Sequence, residues 1–358
     1  MLNRRDWGRV VAAMALSAGL PDARAQPASS PAPSSAVPVP VPRSAPKLVI
    51  GVDNRIDFSC LPLTIADRLG YFTSEGLDVE VRDFPDAVQS LQALVSGAAH
   101  AVSGSYSSTI AGQMRGQALQ SFVLQGRTPQ IAVGVSTKTM AHYRQLDDLR
   151  GKRVGVQALG STAHRVARAV FSRGGLRTND VQFVAMPNAW AAVSAFRSGA
   201  IDAISYTDPT ITQLEQAGEL RVVADTRSVR GNADVFGGPM PSACLCATSE
   251  FLAQFPRASQ AMTDAMVHAL KWLQTAGPSD IIKVVPERYF QGDRSLYLAA
   301  FNRAREAWSP DGLMPAEGPE IAARLVAQFD EPGSMDRFNL ASTFTNAFAR
   351  KAKARFRA

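Results

Sequence analysis

From Lys47 onward, short apolar runs alternate with stretches whose apolar residues recur every three to four positions. Residues 47–52 read as a strand, and Leu63, Ala66, Leu69 and Tyr71 follow at helical spacing. Residues 78–82 alternate as a strand. Val88, Leu91, Leu94 and Val95 then share one helix face, which Gly97 ends. Strands are expected at 99–103, 119–124 and 131–135, with a helix at 109–115. A second series begins at 153–156. Ala163, Val166, Ala167, Val170 and Phe171 predict a helix that stops at Gly174-Gly175, and strands follow at 181–185, 201–205 and 221–224 with helices at 188–197 and 210–216. After a run at 244–247 the pattern is helical at 256–275, 279–290, 294–308, 316–329 and 340–354. Strands and helices alternating at this pitch predict an α/β chain with helices on both faces of its sheets. Two such units in sequence predict two lobes, 47–136 with 240–358 and 137–239. The chain crosses between them near Val135–Lys138 and Gly237–Pro241. In open α/β sheets ligands bind beyond the carboxyl ends of the strands, so facing lobes create a cleft.

Upstream of this body the pattern differs. Arg4 and Arg5 precede an apolar stretch at 10–20, and Ala23-Arg24-Ala25 forms a small-residue cleavage site before Gln26. Residues 1–25 therefore read as a signal peptide that sends the chain to the periplasm, by the general or the twin-arginine route. The apolar stretch is too short to span a bilayer. Residues 26–46 carry seven prolines among Ala, Ser and Val, the composition of an extended spacer without a packable face.

Composition narrows the function classes. The 358 residues are 46% hydrophobic and 19% charged, which fits a globular chain. The net charge is +7. Five cations lie in the last nine residues (Arg350, Lys351, Lys353, Arg355 and Arg357), and no basic face interleaved with aromatics is visible. Nucleic acid is not an expected partner. Three Cys and four His are too few and too scattered for a structural metal site, so neither metal nor cofactor is expected. Cys244 and Cys246 share a strand face. A bond from one of them to Cys60 and three free thiols both remain open.

Several strings occur in a fixed order. Pro62-Leu63 is followed by Gly70-Tyr71-Phe72 and Glu75-Gly76-Leu77-Asp78-Val79-Glu80. Then come Asp148-Leu149, Gly151-Lys152-Arg153-Val154-Gly155-Val156, Gly160-Ser161, Gly175-Leu176, Asp180-Val181 and Ser198-Gly199-x-Ile201-Asp202-Ala203. Together they resemble the substrate-binding proteins of nitrate/sulfonate/taurine/bicarbonate ABC importers, which share a fold with the NMT1/THI5-like group. The resemblance implies a bilobal periplasmic-binding-protein fold of type II, with two parallel or mixed sheets. It also implies a monomeric receptor that closes on a small organic anion, and partners in a permease and its ATPase subunit. Taken alone, most of these residues have structural roles, such as Gly70 and Gly76 in turns.

The candidate binding groups lie at strand ends. Residues 155–162 nearly spell a phosphate-binding loop, but Ser161 stands where the lysine is required. The helix start at Gly160, Ser161 and Thr162 can hold an anionic head group through free N–H groups and hydroxyls; simple N-capping is the other reading. The resemblance places the loop after the first strand in the cleft, with Asp57 as an acceptor and Phe58 as an apolar wall. Ser103, Ser105 and Tyr106 follow the third strand. Asn188 and Trp190 start a helix, and Trp190 either stacks on a ligand or packs in the core. Asp208 precedes Pro209 after the 201–205 strand, where the family often carries an acid. No two-arginine clamp is visible, which favours an organic anion over an inorganic one. The competing function is enzymatic, desulfinase-like or related to thiamine-precursor enzymes of the same fold: a sulfinate desulfinase of this fold carries a Cys nucleophile near the place of Cys60. The segment 81–91 supplies no His to activate that thiol.

Overall fold

The computed structural model describes residues 47–331 and 338–358. The signal and spacer expected at 1–46 lie outside the described residues. Ten strands form two five-stranded sheets. They are β1 Leu48–Val52, β2 Val79–Asp83, β3 Ala101–Ser105, β4 Leu119–Leu124, β5 Ile131–Ser136, β6 Arg153–Val156, β7 Gln182–Ala185, β8 Ala203–Thr207, β9 Leu220–Asp225 and β10 Ala243–Thr248. The first sheet runs in the order β2-β1-β3-β10-β4 and the second β7-β6-β8-β5-β9.

Both sheets are mixed, and the reason is topological. β1, β2 and β3 are parallel, as are β6, β7 and β8, while β10 and β5 run antiparallel to their neighbours. β5 and β10 are the strands entered directly from the opposite lobe. A chain arriving across the cleft starts its strand at the cleft edge, where the parallel strands end, so it must run the other way. This corrects the expected first crossing. Ile131–Ser136 pairs with β8 and β9 in the second sheet, so the chain crosses at 125–130 rather than at Val135–Lys138. An apolar run of six residues does not announce which sheet it joins. The return crossing follows a helix at Val229–Phe236, absent from the expected elements, and runs through 237–242.

Strand alternation builds four apolar layers. Ile50, Val52, Ala101, Phe122 and Leu245 face the helices Leu61–Arg68 and Pro256–Thr275. Val49, Val102, Leu119 and Leu124 face Tyr106–Met114 and Gly318–Phe329 on the other side. In the second lobe, Val133, Val135 and Val154 pack on Thr162–Arg173, and Ala132, Ile204 and Tyr206 pack on Ala189–Ser198. The helix expected at 63–72 is broken by Gly70, whose φ of 70° no β-carbon-bearing residue adopts cheaply. Helix 87–95 has the expected bounds, because the Asp86 carboxylate accepts from Gln89 N and caps it.

Candidate functional site

The parallel strands of both sheets end at the edges joined by the two crossings, and the polar groups there define the cleft. From the first lobe, the loop after β1 carries Asp53 and Asp57 into the short helix Phe58–Cys60. From the second, the loop after β6 leads into the helix Thr162–Arg173. The two loops meet. Gln157 Nε2 donates to Asp57 Oδ2 at 3.1 Å, a hydrogen bond spanning the cleft between residues a hundred apart in sequence.

Asp57 is half-buried, and its carboxyl is pushed up to about 7. Loss of water is the main cause and the nearby Asp53 adds to it, while hydrogen bonds from Gln157, Asn54 and Thr207 act in the opposite direction. Burial raises Asp53 as well. Beneath this pair, Gln125 Nε2 donates to Ser103 Oγ at 2.9 Å in a fully buried contact. Ser105 Oγ is buried without a hydrogen-bond partner.

The helix start at Gly160–Thr162 is largely satisfied by its own residues. Ser161 Oγ accepts from His164 N at 3.3 Å, and Gly160 N donates to His164 Nδ1 at 2.9 Å. That second bond requires an unprotonated Nδ1. Burial, with help from Arg168, holds His164 down to about 4, which keeps the ring neutral. Thr162 and Ala163 are the helix positions whose N–H groups have no intrahelical acceptor. Ser161 thus serves as an N-cap, and what this terminus offers an anion is the Thr162 and Ala163 N–H groups with the Ser161 and Thr162 hydroxyls.

Four of the other expected residues are engaged within the protein, and Trp190 is not. Phe58 is a core residue: its ring lies edge-on to Tyr297 at 4.8 Å and its carbonyl accepts from Trp308 Nε1 at 2.8 Å. Tyr106 is fully buried and bonded to Thr343 Oγ1 at 2.6 Å. An aromatic ring directly after a strand end is drawn inward by the area it removes from water. Asn188 accepts from Ala191 N at 2.9 Å and caps a helix. Trp190 is 80% exposed, so it neither packs in the core nor stacks on a protein partner. Asp208 is buried, accepts from Thr212 N and Oγ1 at 2.9 and 2.8 Å, and pairs with Arg227 at 3.3 Å. These bonds occupy its carboxylate.

Gln157, Thr207 and Gln125 were not among the expected residues. Gln157 and Thr207 obey the same strand-end rule that selects their neighbours, so their signal is present in the sequence. Gln125 carries no such signal, because it lies in the crossing at 125–130. A cavity of about 430 Å³ lies elsewhere, lined by Leu124, Arg127, Val229, Asn232 and Pro239 among others, and does not include Asp57 or Gln157. Cys60, Cys244 and Cys246 are all free and buried. Burial, reinforced by Asp53 and Asp57, drives the Cys60 thiol far above its usual value.

A family model described as NMT1/THI5 like matches residues 57–277. The chain belongs to the NMT1/THI5-like family. Among solved structures, it is similar to a protein of Bordetella bronchiseptica RB50, at 40% identity and a TM-score of 0.81, covering 87% of this chain and 98% of that one. The alkanesulfonate-binding protein SsuA of Xanthomonas axonopodis pv. citri, bound to MOPS, gives a TM-score of 0.65 at 20% identity, covering 85% and 100%. The periplasmic nitrate-binding protein NrtA of Synechocystis PCC 6803 gives 0.69 at 14% identity, covering 87% and 89%. This NMT1/THI5-like chain therefore has the two-lobed fold of periplasmic binding proteins, with two mixed sheets flanked by helices.

Proposed function

We propose that this chain is the solute receptor of an ABC importer. It is exported to the periplasm, acts as a monomer, closes its two lobes on a small organic anion and delivers it to a permease driven by an ATPase subunit. The observation that carries this reading is the hydrogen bond from Gln157 to Asp57 across the strand-end cleft. Contacts made by both lobes with one solute favour the closed arrangement over the open one, which a population shift requires. The two backbone donors at Thr162 and Ala163 suit one anionic end, and Asp57, Gln157, Ser103 and Ser105 supply hydrogen bonds to the remainder. The neighbours that bind alkanesulfonate and nitrate support an anionic solute.

An organic solute is favoured over a bare oxyanion because the surrounding cations are engaged. Arg165 and Arg168 are held by Asp330, and Arg227 by three acids. The reading as a Cys-dependent enzyme is disfavoured by the same physics that buries Cys60: a thiol pushed upward by desolvation and two carboxyls is not a poised nucleophile.

A thermal-shift screen of sulfonates, aromatic carboxylates and pyrimidines tests the proposal, followed by small-angle scattering with the strongest hit. A raised melting temperature and a reduced radius of gyration are expected. Catalytic consumption of a sulfinate, abolished in Cys60→Ser, would establish the enzyme instead.

A further inference from the structure

An anion entering this cleft meets a difficulty of charge. The titratable groups acting on Asp57 are Asp53 from its own loop, Cys60 from the next turn, and Tyr206 from β8 in the opposite lobe. Burial raises Cys60 and Tyr206, so both stay neutral. Among the charged groups Asp53 acts most strongly on Asp57, and it is an acid. The nearest guanidinium in sequence, Arg55, is committed to Asp83 and the Val81 carbonyl. Gln157 and Thr207 approach from the second lobe, and both are uncharged. A carboxylate has only acceptors to offer, and so does a sulfonate or a carboxylate ligand. Two acceptor-only anions in one desolvated cleft repel each other, unless one of them carries a proton.

We propose that Asp57 is protonated in the closed form and donates its O–H to the captured anion, so that a chain whose Asp57 is ionised beforehand takes up one proton from solvent with each solute. The inference rests on the reading of the cleft as the site of an organic anion, and it makes Asp57 a donor beside the Thr162 and Ala163 N–H groups rather than a charge opposed to the solute. The carboxyl is already raised to about 7 without a ligand, by burial first and by Asp53 second. The sign follows from linkage. The bound anion repels an ionised Asp57 and so raises this carboxyl further, which favours the bound form as pH falls. Affinity is level at acid pH, where the carboxyl already holds its proton, and falls by up to about tenfold per unit as pH rises above about 7.

The test is isothermal titration of the full exported chain with butanesulfonate, methanesulfonate and nitrate, which remain anionic throughout. It is run at pH 5, 6, 7 and 8.5 in two buffers of different ionisation enthalpy. The expected result is little proton uptake at pH 5 and 6, where Asp57 already holds its proton, and uptake approaching one proton per anion at pH 8.5, with binding that weakens above about pH 7. Asp57→Asn keeps a donor without a titrating group, so its profile is flat and at pH 8.5 it binds more tightly than the wild type. Binding with no proton uptake and a flat wild-type profile overturns the inference and leaves the receptor reading intact. Affinity that rises with pH also overturns it, because an ionised Asp57 would then be recognising a donor. If none of the three anions binds at any pH, the anionic-solute reading itself fails, and this inference with it.

Discussion

Asp57 and Asp208 are carboxyl groups at cleft-facing strand ends, one in each lobe, and they meet desolvation in opposite ways. Burial raises both. Around Asp208 the chain has assembled compensation: Arg227 at 3.3 Å, two bonds from Thr212, and further acids at Asp225 and Glu215 that hold the guanidinium. Burial works against the Arg227 charge too, but these carboxylates hold it above its ordinary value. Glu215 in turn reaches Arg303 of the first lobe, so the network also ties the lobes together. Asp57 has an amide, a hydroxyl and a second acid for neighbours. A buried acid with a full set of partners is a structural element. One left with neutral partners keeps a chemical choice, between shedding its proton at a cost and holding it.

Four experiments break or sharpen this contrast. The largest effect is expected from Arg227→Leu, which strands Asp208 with its main partner gone, where both side chains are at most 4% exposed. Loss of about 3–5 kcal/mol of stability is expected in urea unfolding, because an uncompensated buried charge remains. Asp208→Asn made on top of Arg227→Leu should recover part of it, and no recovery would mean the network does not carry the loss.

Next is the pH dependence of Asp57→Asn. The wild-type carboxyl is about 7 folded against 3.8 in an unstructured chain, so its contribution is present below 3.8 and is lost as pH rises toward 7. Between pH 5 and pH 8 the wild type should lose about 2–3 kcal/mol relative to the variant, less where the lobes open instead of unfolding. Parallel melting curves for the two proteins would contradict the assignment of Asp57 as an uncompensated acid.

A smaller loss, about 1 kcal/mol, is expected from Tyr106→Phe, which removes the buried bond to Thr343 and leaves Thr343 Oγ1 bonded to the Leu340 carbonyl. Solute binding should not change, and an altered Kd would return Tyr106 to the cleft. Trp190→Ala should shift stability by less than about 0.5 kcal/mol, since the ring is 80% exposed. A larger shift in melting temperature would reveal packing that the structure does not contain.

The elements themselves were legible because their signals are local. The helix 87–95 could be read from four apolar residues and Gly97, and nearly every strand from a run of four to six residues. The helix Val229–Phe236 was missed, having little apolar content beyond Val229, Val235 and Phe236. The candidate site was legible only in part. The family resemblance pointed to the loop that holds Asp57, and a near-match to a phosphate-binding loop pointed to the helix start near Ser161. The structure turned the latter mostly inward, because His164 occupies Gly160 N. Phe58 and Tyr106 were misassigned because adjacency to a strand end says nothing about which way a ring turns.

The sequence alone determined the alternation of strands and helices, the caps and turns that bound them, and the family. The elements and their turns depend on residues within a few positions of one another, and the family on the order of such short strings along the chain. Tertiary structure decided that Ile131–Ser136 belongs to the second sheet and that Asp208 is neutralised by an arginine 19 residues away. It also decided that Asp57 meets a glutamine 100 residues away, beside a second acid. Ionisation responds to the charges and water within a few ångströms of a group, and that neighbourhood is assembled only when distant parts of the chain are folded against each other.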